Sequence, residues 1–317
     1  MTRRVWLVVA FVAACGKSGD PAAPPPPAPA SAGASGAGSA EPGWHCAPLA
    51  FAPSTPVPEA SGAAWITVDG KPALLVIGDS GNAGAYGIVD PETGATGETG
   101  KLPLSPEASD DLEGIAARGD RIYGLTSSGW VLEWQRQGRG FALVAGPYPL
   151  GPVDLPDARH GAGHGKRPPA GDGMVCGERA INCGRDYEGL CLAPAPRSPG
   201  CIGFAASKAD GHAYCLSEEA GKLVVHRDRA IAVSQPGALA DCAFGDDGAL
   251  WLGDNLFGLG RVYRVAAWDE PARARVELVG ALAIGFPETL AVRGDLVYRM
   301  SDMGGAPSAM ARWRCTR

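Results

Sequence analysis

The feature that most constrains the fold of this 317-residue chain is a short motif that the chain repeats. In its clearest copies a glutamate stands between a hydrophobic or proline residue and a small residue, and aliphatic residues follow. These glutamates are Glu113, Glu188 and Glu288, and weaker copies of the motif begin at Ser61 and Ala240. Repetition of this kind is typical of folds built from copies of one supersecondary unit.

A second column of polar residues follows the first. Three of the five copies have the same spacing of 14 residues between the columns, and the other two have spacings of 18 and 30 residues. The second-column residues are Asp79, Ser127, Glu218, Asp254 and Asp302. The identical spacings indicate one repeated unit, with loop insertions in the two longer copies.

Each unit predicts short β-strands. Runs such as residues 130–134 and 261–265 are rich in β-branched and aromatic residues, and Asp-Gly or Gly-Asp pairs mark the turns between strands. Repeated four-stranded units of roughly 50 residues predict an all-β fold, a β-propeller. Five copies of the motif predict five blades. The 75-residue gap between Glu113 and Glu188 leaves room for a sixth blade, but residues 151–185 lack strand alternation and are interpreted as an insertion loop.

The last unit holds only about 30 residues, enough for three strands. We therefore expect a strand from residues 45–51 to complete it, so that strands from both termini close the ring. Cys46 and Cys315 would then lie on neighbouring strands, which makes them the preferred disulfide pair.

Cysteine usage indicates an oxidising compartment. The chain has nine cysteines, and eight remain once Cys15 is set aside as part of a processing signal. These eight suffice for four disulfides in an exported protein. Zinc binding is the competing interpretation, although no C-x2-C pair is present. Burial of some of them as free thiols is a further alternative.

The N-terminus is typical of an export signal, with Arg3 and Arg4 before an apolar run too short to span a bilayer. Residues 12–15 resemble the lipobox of bacterial lipoproteins, which implies cleavage before Cys15, lipidation of Cys15 and, with Gly16 next, the outer membrane. We expect a signal peptide at 1–14, a lipidated and Pro/Ala/Gly-rich tether at 15–43 and the propeller at 44–317. Contact with the membrane would be through the lipid alone.

Charge excludes one class of partner. The formal net charge of −6 becomes −8 when Arg3 and Arg4 leave with the signal peptide. No basic stripe is present, so the sequence predicts no nucleic-acid partner.

The two columns are expected to meet in space. In a propeller blade the innermost strand starts on the face where the second strand ends, so both columns lie near one mouth of the central channel. Clustered carboxylates supply hard oxygen ligands, which suit Ca²⁺ or Mg²⁺. Candidate metal ligands are Glu113, Glu188, Glu288, Asp254 and Asp302. Candidate ligand-binding residues are Asp79, Ser80, Asn82, Glu218, Asn255, Phe257 and Met303. Alternatively, a carboxylate at a blade start accepts backbone N–H groups of the neighbouring blade and locks the ring.

The Glu-Gly-Ile/Leu blade starts, followed by Tyr-x-Leu-Ser strands, resemble the exported β-propellers grouped as SdiA-regulated proteins and as esterase-like, phytase-like proteins. The resemblance implies an extracytoplasmic propeller with an acidic channel and a calcium-assisted ester or phosphoester hydrolase activity. Calcium phytases also hold phosphate with basic residues, for which the candidates here are Arg185, Lys222, Arg261 and Arg312.

Three functions follow as hypotheses. The first is an envelope lipoprotein that recognises a small molecule or protein at the acidic mouth through a divalent cation. The second is a calcium-assisted esterase or phosphoesterase, and the third is a structural envelope module. Whether the chain is an enzyme stays open, because propellers host both binding and catalysis.

Overall fold

A computed structural model of the chain describes residues 43–153, 174–194, 200–233, 238–255 and 259–317. The predicted signal peptide, Cys15 and nearly all of the predicted tether lie outside these residues. No helix in the described ranges is long and apolar enough to cross a membrane.

The described residues form a five-bladed β-propeller, as predicted. Two strands come before the first blade, namely β1 (His45–Leu49) and β2 (Ser54–Pro58). Blade 1 contains β3 (Ala60–Val68), β4 (Lys71–Gly78), β5 (Ala85–Val89) and β6 (Thr96–Lys101), and blade 2 contains β7 (Leu112–Arg118), β8 (Arg121–Thr126), β9 (Trp130–Gln137) and β10 (Gly140–Pro149). Blade 3 contains β11 (Tyr187–Leu192), β12 (Gly203–Ser207), β13 (His212–Glu219) and β14 (Lys222–Ala232). Blade 4 contains β15 (Leu239–Phe244), β16 (Leu250–Asp254), β17 (Arg261–Ala266) and β18 (Arg275–Ala281), with a 3-10 turn at Pro271–Arg273. Blade 5 contains β19 (Phe286–Pro287), β20 (Ala291–Arg293), β21 (Leu296–Asp302) and β22 (Pro307–Thr316).

The ring is closed by strands from both ends of the described propeller. In blade 5 the inner strands β19 and β20 pair with β21, which pairs with β22, and β1 completes the sheet as its outermost strand. The register places Cys46 opposite Cys315, and a disulfide joins them. This confirms the predicted closure.

The other six cysteines also pair. Disulfides join Cys176 to Cys183, Cys191 to Cys242 and Cys201 to Cys215. The zinc and free-thiol interpretations are therefore wrong for these residues.

Hydrophobic burial holds the blades to one another. Five clusters of buried side chains are present, and each fills the space between one pair of neighbouring blades. A strand in such a stack is covered on both faces, which explains why Leu74, Leu75, Val76 and Ile77 are consecutive apolar residues that are all fully buried.

The first sequence column coincides with a β-bulge. Leu112 pairs with Thr126 but Gly114 pairs with Leu125, so Glu113 is an extra residue in β7. The same shift occurs at the corresponding column residue of blades 1, 3 and 4. In blade 5 the backbone N–H groups of Glu288 and Thr289 both point to the Met300 carbonyl, at 3.0 and 3.4 Å. A bulge re-aims a side chain and bends the strand locally, while the pairing continues on either side of it.

The residue after the column lies where the inner strands approach one another most closely. A Cβ on Gly114 would come within 2.5 Å of the Leu190 nitrogen, and a Cβ on Gly189 within 2.7 Å of the Asp241 Cα. In blade 4 this position is Asp241, whose carboxylate accepts the N–H groups of Leu290 and Cys242, each at 2.7 Å. Here a carboxylate does lock two blades together.

The insertion between blades 2 and 3 forms no strand of a sixth blade within its described part, residues 151–153 and 174–185; there it contributes only a bridge between Val153 and Val175. Its second part, closed by the Cys176–Cys183 disulfide, folds over the channel mouth. The Asn182 N–H donates to Ser127 Oγ at 2.8 Å, and the Cys176 N–H donates to the Ser128 carbonyl at 2.9 Å.

Candidate functional site

Strand register defines which residues surround the mouth. In each blade, the residue that precedes the first-column residue pairs with a residue at the end of the second strand. The residue that follows this pairing partner along the chain therefore lies beside the first-column residue. The residues in this position are Asp79, Ser127, Lys208, Asn255 and Asp302. The second column therefore differs from the sequence prediction in blades 3 and 4.

Glu218 does not lie at this mouth. It is on β13, the third strand of blade 3, where it is half exposed and pairs with Arg118 at 3.1 Å. Arg118 ends the inner strand β7, so this ion pair lies on the opposite face. The mouth position belongs to Lys208, because the second strand of blade 3 is β12 and ends at Ser207.

Asp254 is likewise held away from the glutamates. Its Oδ1 accepts the Arg261 N–H at 2.9 Å, and its Oδ2 accepts Arg261 Nε at 2.9 Å and the Tyr263 hydroxyl at 3.2 Å. These contacts hold the Asp254 carboxylate against β17, so it is not placed to bind a metal together with Glu113, Glu188 or Glu288.

Three carboxylates form what we call the open half of the mouth, namely Asp79, Asp111 and Glu113. One oxygen from each lies within 4.8 Å of the others. Asp111 is 1% exposed; its Oδ2 accepts the Ser127 hydroxyl, whereas its Oδ1 has no hydrogen-bond partner among the described residues. No Lys or Arg within the described ranges forms an ion pair with these three carboxylates.

Burial and neighbouring negative charges raise the pKa values of carboxylates in the open half. Burial, reinforced by the charge of Glu188, raises the pKa of Glu113 well above its ordinary value. Burial also raises the pKa of Asp111 to about 6, with the charge of Asp79 adding to the effect. Clustered carboxylates of this kind are stabilised by a cation.

Two glutamates, a lysine and an asparagine form what we call the lysine half of the mouth, namely Glu188, Glu288, Lys208 and Asn255. Lys208 Nζ lies 2.8 Å from Glu188 Oε2 and 3.6 Å from Glu288 Oε1, which also accepts Asn255 Nδ2 at 3.1 Å. Burial raises the pKa of Glu188 to about 8 and that of Glu288 to about 7, although Lys208 opposes both shifts. Burial lowers the pKa of Lys208, but the two glutamate charges more than offset this.

Two candidate residues lie beside these halves. Asp302 is near enough for its charge to raise the pKa of Glu288, and its Oδ1 accepts the Gly304 N–H at 2.7 Å. Asn82 has a structural role, because its amide donates to Glu59 Oε2 at 2.8 Å and to the Asp79 carbonyl at 3.0 Å. Ser80 lies in this same loop, while Phe257 lies outside the described residues.

Exposed apolar side chains surround the same mouth. Of the six large hydrophobic residues that are exposed among those described, four lie in loops or at a strand start on this face. They are Ile181, Leu259, Phe286 and Met303, which we call the apolar rim. An exposed apolar surface beside polar groups is typical of a ligand-contact site.

Sequence reasoning missed Asp111 and Lys208. Asp111 had a signal, because the pattern Asp-x-Glu-Gly occurs at both 111–114 and 186–189. Lys208 had none of comparable strength, since its position depends on where β12 ends.

We expect the thermal stability of the cation-free protein to fall as pH rises from about 5 to 8.5. In the folded protein Asp111, Glu288 and Glu188 keep their protons up to pKa values of about 6, 7 and 8, whereas in the unfolded chain they lose them near the ordinary values. Proton retention therefore stabilises the fold at low pH, and this contribution is lost as pH rises through the folded values. Calorimetric melting temperatures measured in EDTA would show it. A Glu188→Gln variant should flatten the upper part of the curve, and a melting temperature that rises over this range would contradict the assignment.

No family model matches the chain, and no curated protein matches it. Solved structures do show similarity to the chain. A glutaminyl cyclase from Myxococcus xanthus is 12% identical with a TM-score of 0.49, over 86% of this chain and 97% of that one. A luciferin-regenerating enzyme is 11% identical with a TM-score of 0.48, over 86% of this chain and 95% of that one. BamB from Moraxella catarrhalis is 14% identical with a TM-score of 0.33, over 80% of this chain and 57% of that one.

Proposed function

We propose that the protein is an extracytoplasmic lipoprotein whose propeller recognises a ligand at the acidic mouth through a divalent cation, with Ca²⁺ the preferred ion. The supporting observation is the open half, where three carboxylates converge and a buried oxygen of Asp111 lacks a partner among the described residues. Four disulfides are typical of an exported protein and support the proposed location.

The two halves of the mouth differ in how their charge is compensated. Glu188 and Glu288 share Lys208, so their negative charge is partly neutralised within the protein. Among the residues that the structure describes, no Lys or Arg forms an ion pair with Asp79, Asp111 or Glu113. We therefore propose that the ion binds to the open half, and that Glu188 and Glu288 influence it from outside the coordination sphere.

The ligand completes this site. Ca²⁺ takes about six to eight oxygen ligands, more than three monodentate carboxylates supply. Oxygen atoms of water and of the bound molecule fill the other positions. The apolar rim, with Phe286 57% and Met303 47% exposed, favours a ligand that also carries an apolar part.

Calcium titration of the propeller tests this proposal. Extracellular calcium modules bind with dissociation constants of about 10⁻⁴ to 10⁻³ M, so millimolar Ca²⁺ is expected to raise the melting temperature saturably. Isothermal calorimetry should show one site. Asp111→Asn should weaken binding at least about tenfold, because it removes one of three charged ligands.

The matched control is Asp302→Asn, which removes a charge at the same mouth but outside the open half. It should change Ca²⁺ affinity by less than about threefold. Equal loss of affinity in the two variants would indicate a diffuse charge effect, and an absence of Ca²⁺ binding to the unmodified protein would refute the cation site.

A second candidate function is metal-assisted hydrolysis of an ester or phosphoester. The observation that favours it is Glu188, which is 2% exposed and has an Oε1 without a hydrogen-bond partner within the described part of the chain. A carboxylate with a pKa near neutrality can take a proton from an attacking water.

A screen with 4-nitrophenyl acetate and 4-nitrophenyl phosphate, in the presence of Ca²⁺, tests for this hydrolase activity. Loss of activity in Glu188→Gln at an unchanged melting temperature would favour catalysis.

The structural-module hypothesis receives less support. It requires the mouth carboxylates to be satisfied by backbone groups, as Asp241 is. Asp111 and Glu188 each keep an oxygen that no described residue contacts by a hydrogen bond.

A further inference from the structure

The channel has a second opening, on the face opposite the acidic mouth. A cavity of about 830 Å³ lies there, and inner strands of all five blades contribute to its walls. Its volume is within the range of about 300 to 1,000 Å³ that small-molecule sites occupy. This end of the channel has no part in the proposed cation site.

The two ends are separated by the close contacts of the inner strands. The cavity begins at Ile115, Leu190 and Cys242, just past the level where Gly114 and Gly189 bring the strands together. A ligand in the cavity therefore meets apolar walls at its inner end and does not reach the carboxylates.

Small side chains give the cavity its width. Ala63, Ala117, Ala243 and Ala291 lie along its walls, and the Cys191–Cys242 disulfide joins two of the inner strands there. Such walls suit an apolar body at the inner end of the cavity, whereas polar and charged residues line its outer part.

Arg293 is the cationic group at this cavity that is least committed to other residues. Its guanidinium lies over the Trp65 ring, 5.1 Å from the ring centre, and the ring is fixed by the donation of its Nε1 to the Val292 carbonyl at 2.9 Å. The nearest carboxylate, on the exposed Asp246, is 3.7 Å away. Within the described residues the Arg293 side chain donates no hydrogen bond.

The other charged groups at the cavity are engaged. Arg136 donates two hydrogen bonds to Glu98, at 2.9 and 3.4 Å. Arg118 pairs with Glu218 at 3.1 Å, and Asp120 accepts the Gln135 amide at 2.9 Å. Among the described arginines at the cavity, Arg293 is the one whose guanidinium donates no hydrogen bond, and its planar fork of donors at the lip matches a carboxylate.

We propose that this cavity is a second binding site, for a small organic molecule with one carboxylate and a planar apolar body. The carboxylate binds Arg293 and displaces Asp246, while the body packs against Trp65 and the alanine walls. The site is independent of the cation site, so its ligand binds equally well in EDTA.

Calorimetric titration with naphthalene-2-carboxylate and with its primary amide, both in EDTA, tests the proposal. The acid is expected to bind at least about tenfold more tightly, because a hydrogen-bonded charge is worth about 1.5 kcal/mol or more. Arg293→Gln should abolish this preference, and Arg293→Lys should keep part of it. Arg314→Gln, which removes an exposed arginine paired with Asp295 outside the cavity, should leave it unchanged.

Three results would overturn the proposal: equal affinity for acid and amide, retention of the acid preference in Arg293→Gln, or no binding of either probe at millimolar concentration. Melting temperatures of the variants show whether each is folded, and Trp65→Leu provides a second variant that should weaken both probes. None of these outcomes depends on Ca²⁺, so failure here and failure of the cation site are distinguishable.

Discussion

Replacing Cys46 and Cys315 together with alanine is expected to lower the free energy of unfolding by about 5 kcal/mol. The disulfide spans 269 residues, so it restricts the unfolded chain strongly. It also fastens β1 to β22, the pairing that closes the ring. Urea unfolding monitored by tryptophan fluorescence measures the change.

The matched control is the Cys201→Ala, Cys215→Ala variant, which removes a disulfide within a single blade. Its two cysteines are only 14 residues apart, for which the same chain-entropy argument gives about 3 kcal/mol. The ring-closing pair should therefore cost more, and a larger loss in the control would contradict this account.

Replacing Arg299 with methionine is expected to cost about 3 to 5 kcal/mol, because it leaves two buried carbonyl groups without their charged donor, at about 1 to 3 kcal/mol each. The side chain is fully buried, and its Nη2 donates to the Asp254 carbonyl at 3.0 Å and to the Pro287 carbonyl at 2.9 Å. Burial lowers its pKa to about 10 despite the favourable charge of Asp241. Without Arg299 the buried Asp241 would also lose a favourable nearby positive charge. Thermal and urea unfolding would both report the loss.

Arg314→Met is the control for this prediction. Arg314 is also a blade 5 arginine in an ion pair, with Asp295 at 3.0 Å, but both side chains are about half exposed. An exposed pair contributes about 1 kcal/mol or less. Similar losses in the two variants would mean that Arg299 does not bridge blades 4 and 5 as described.

The repeat made the architecture predictable. Because the blades start with similar strands, the five copies of the motif, at Ser61, Glu113, Glu188, Ala240 and Glu288, indicated the number of blades. The short last unit then indicated that β1 closes the ring. These inferences needed only the pattern of residues along the chain.

The composition of the mouth was less predictable, because it depends on pairing register rather than on spacing. In blade 2 two residues connect the first strand to the second, whereas in blade 3 residues 193–202 do so. This longer connection shifts the second strand, so that Lys208 occupies the place where spacing had suggested Glu218. A lysine in place of a glutamate changes the local charge by two and divides the mouth into an open half and a lysine half.

The open half also depends on contacts between distant segments. Asp111 is buried because Ser127 binds it and because the disulfide-closed loop brings Asn182 against Ser127. Neither contact has a local sequence signal. Propensity and periodicity describe strands well, but they do not show which loops fold over a strand end.

The bulge at each blade start has a consequence for how such a protein diversifies. Because the bulged residue is extra to the strand pairing, its side chain can be exchanged while the register of the inner strand is kept. The ring thus offers five equivalent positions, occupied here by Ser61, Glu113, Glu188, Ala240 and Glu288. Substitution at them would change the charge of the mouth by up to one elementary charge per position while the strand pairing around each position is kept.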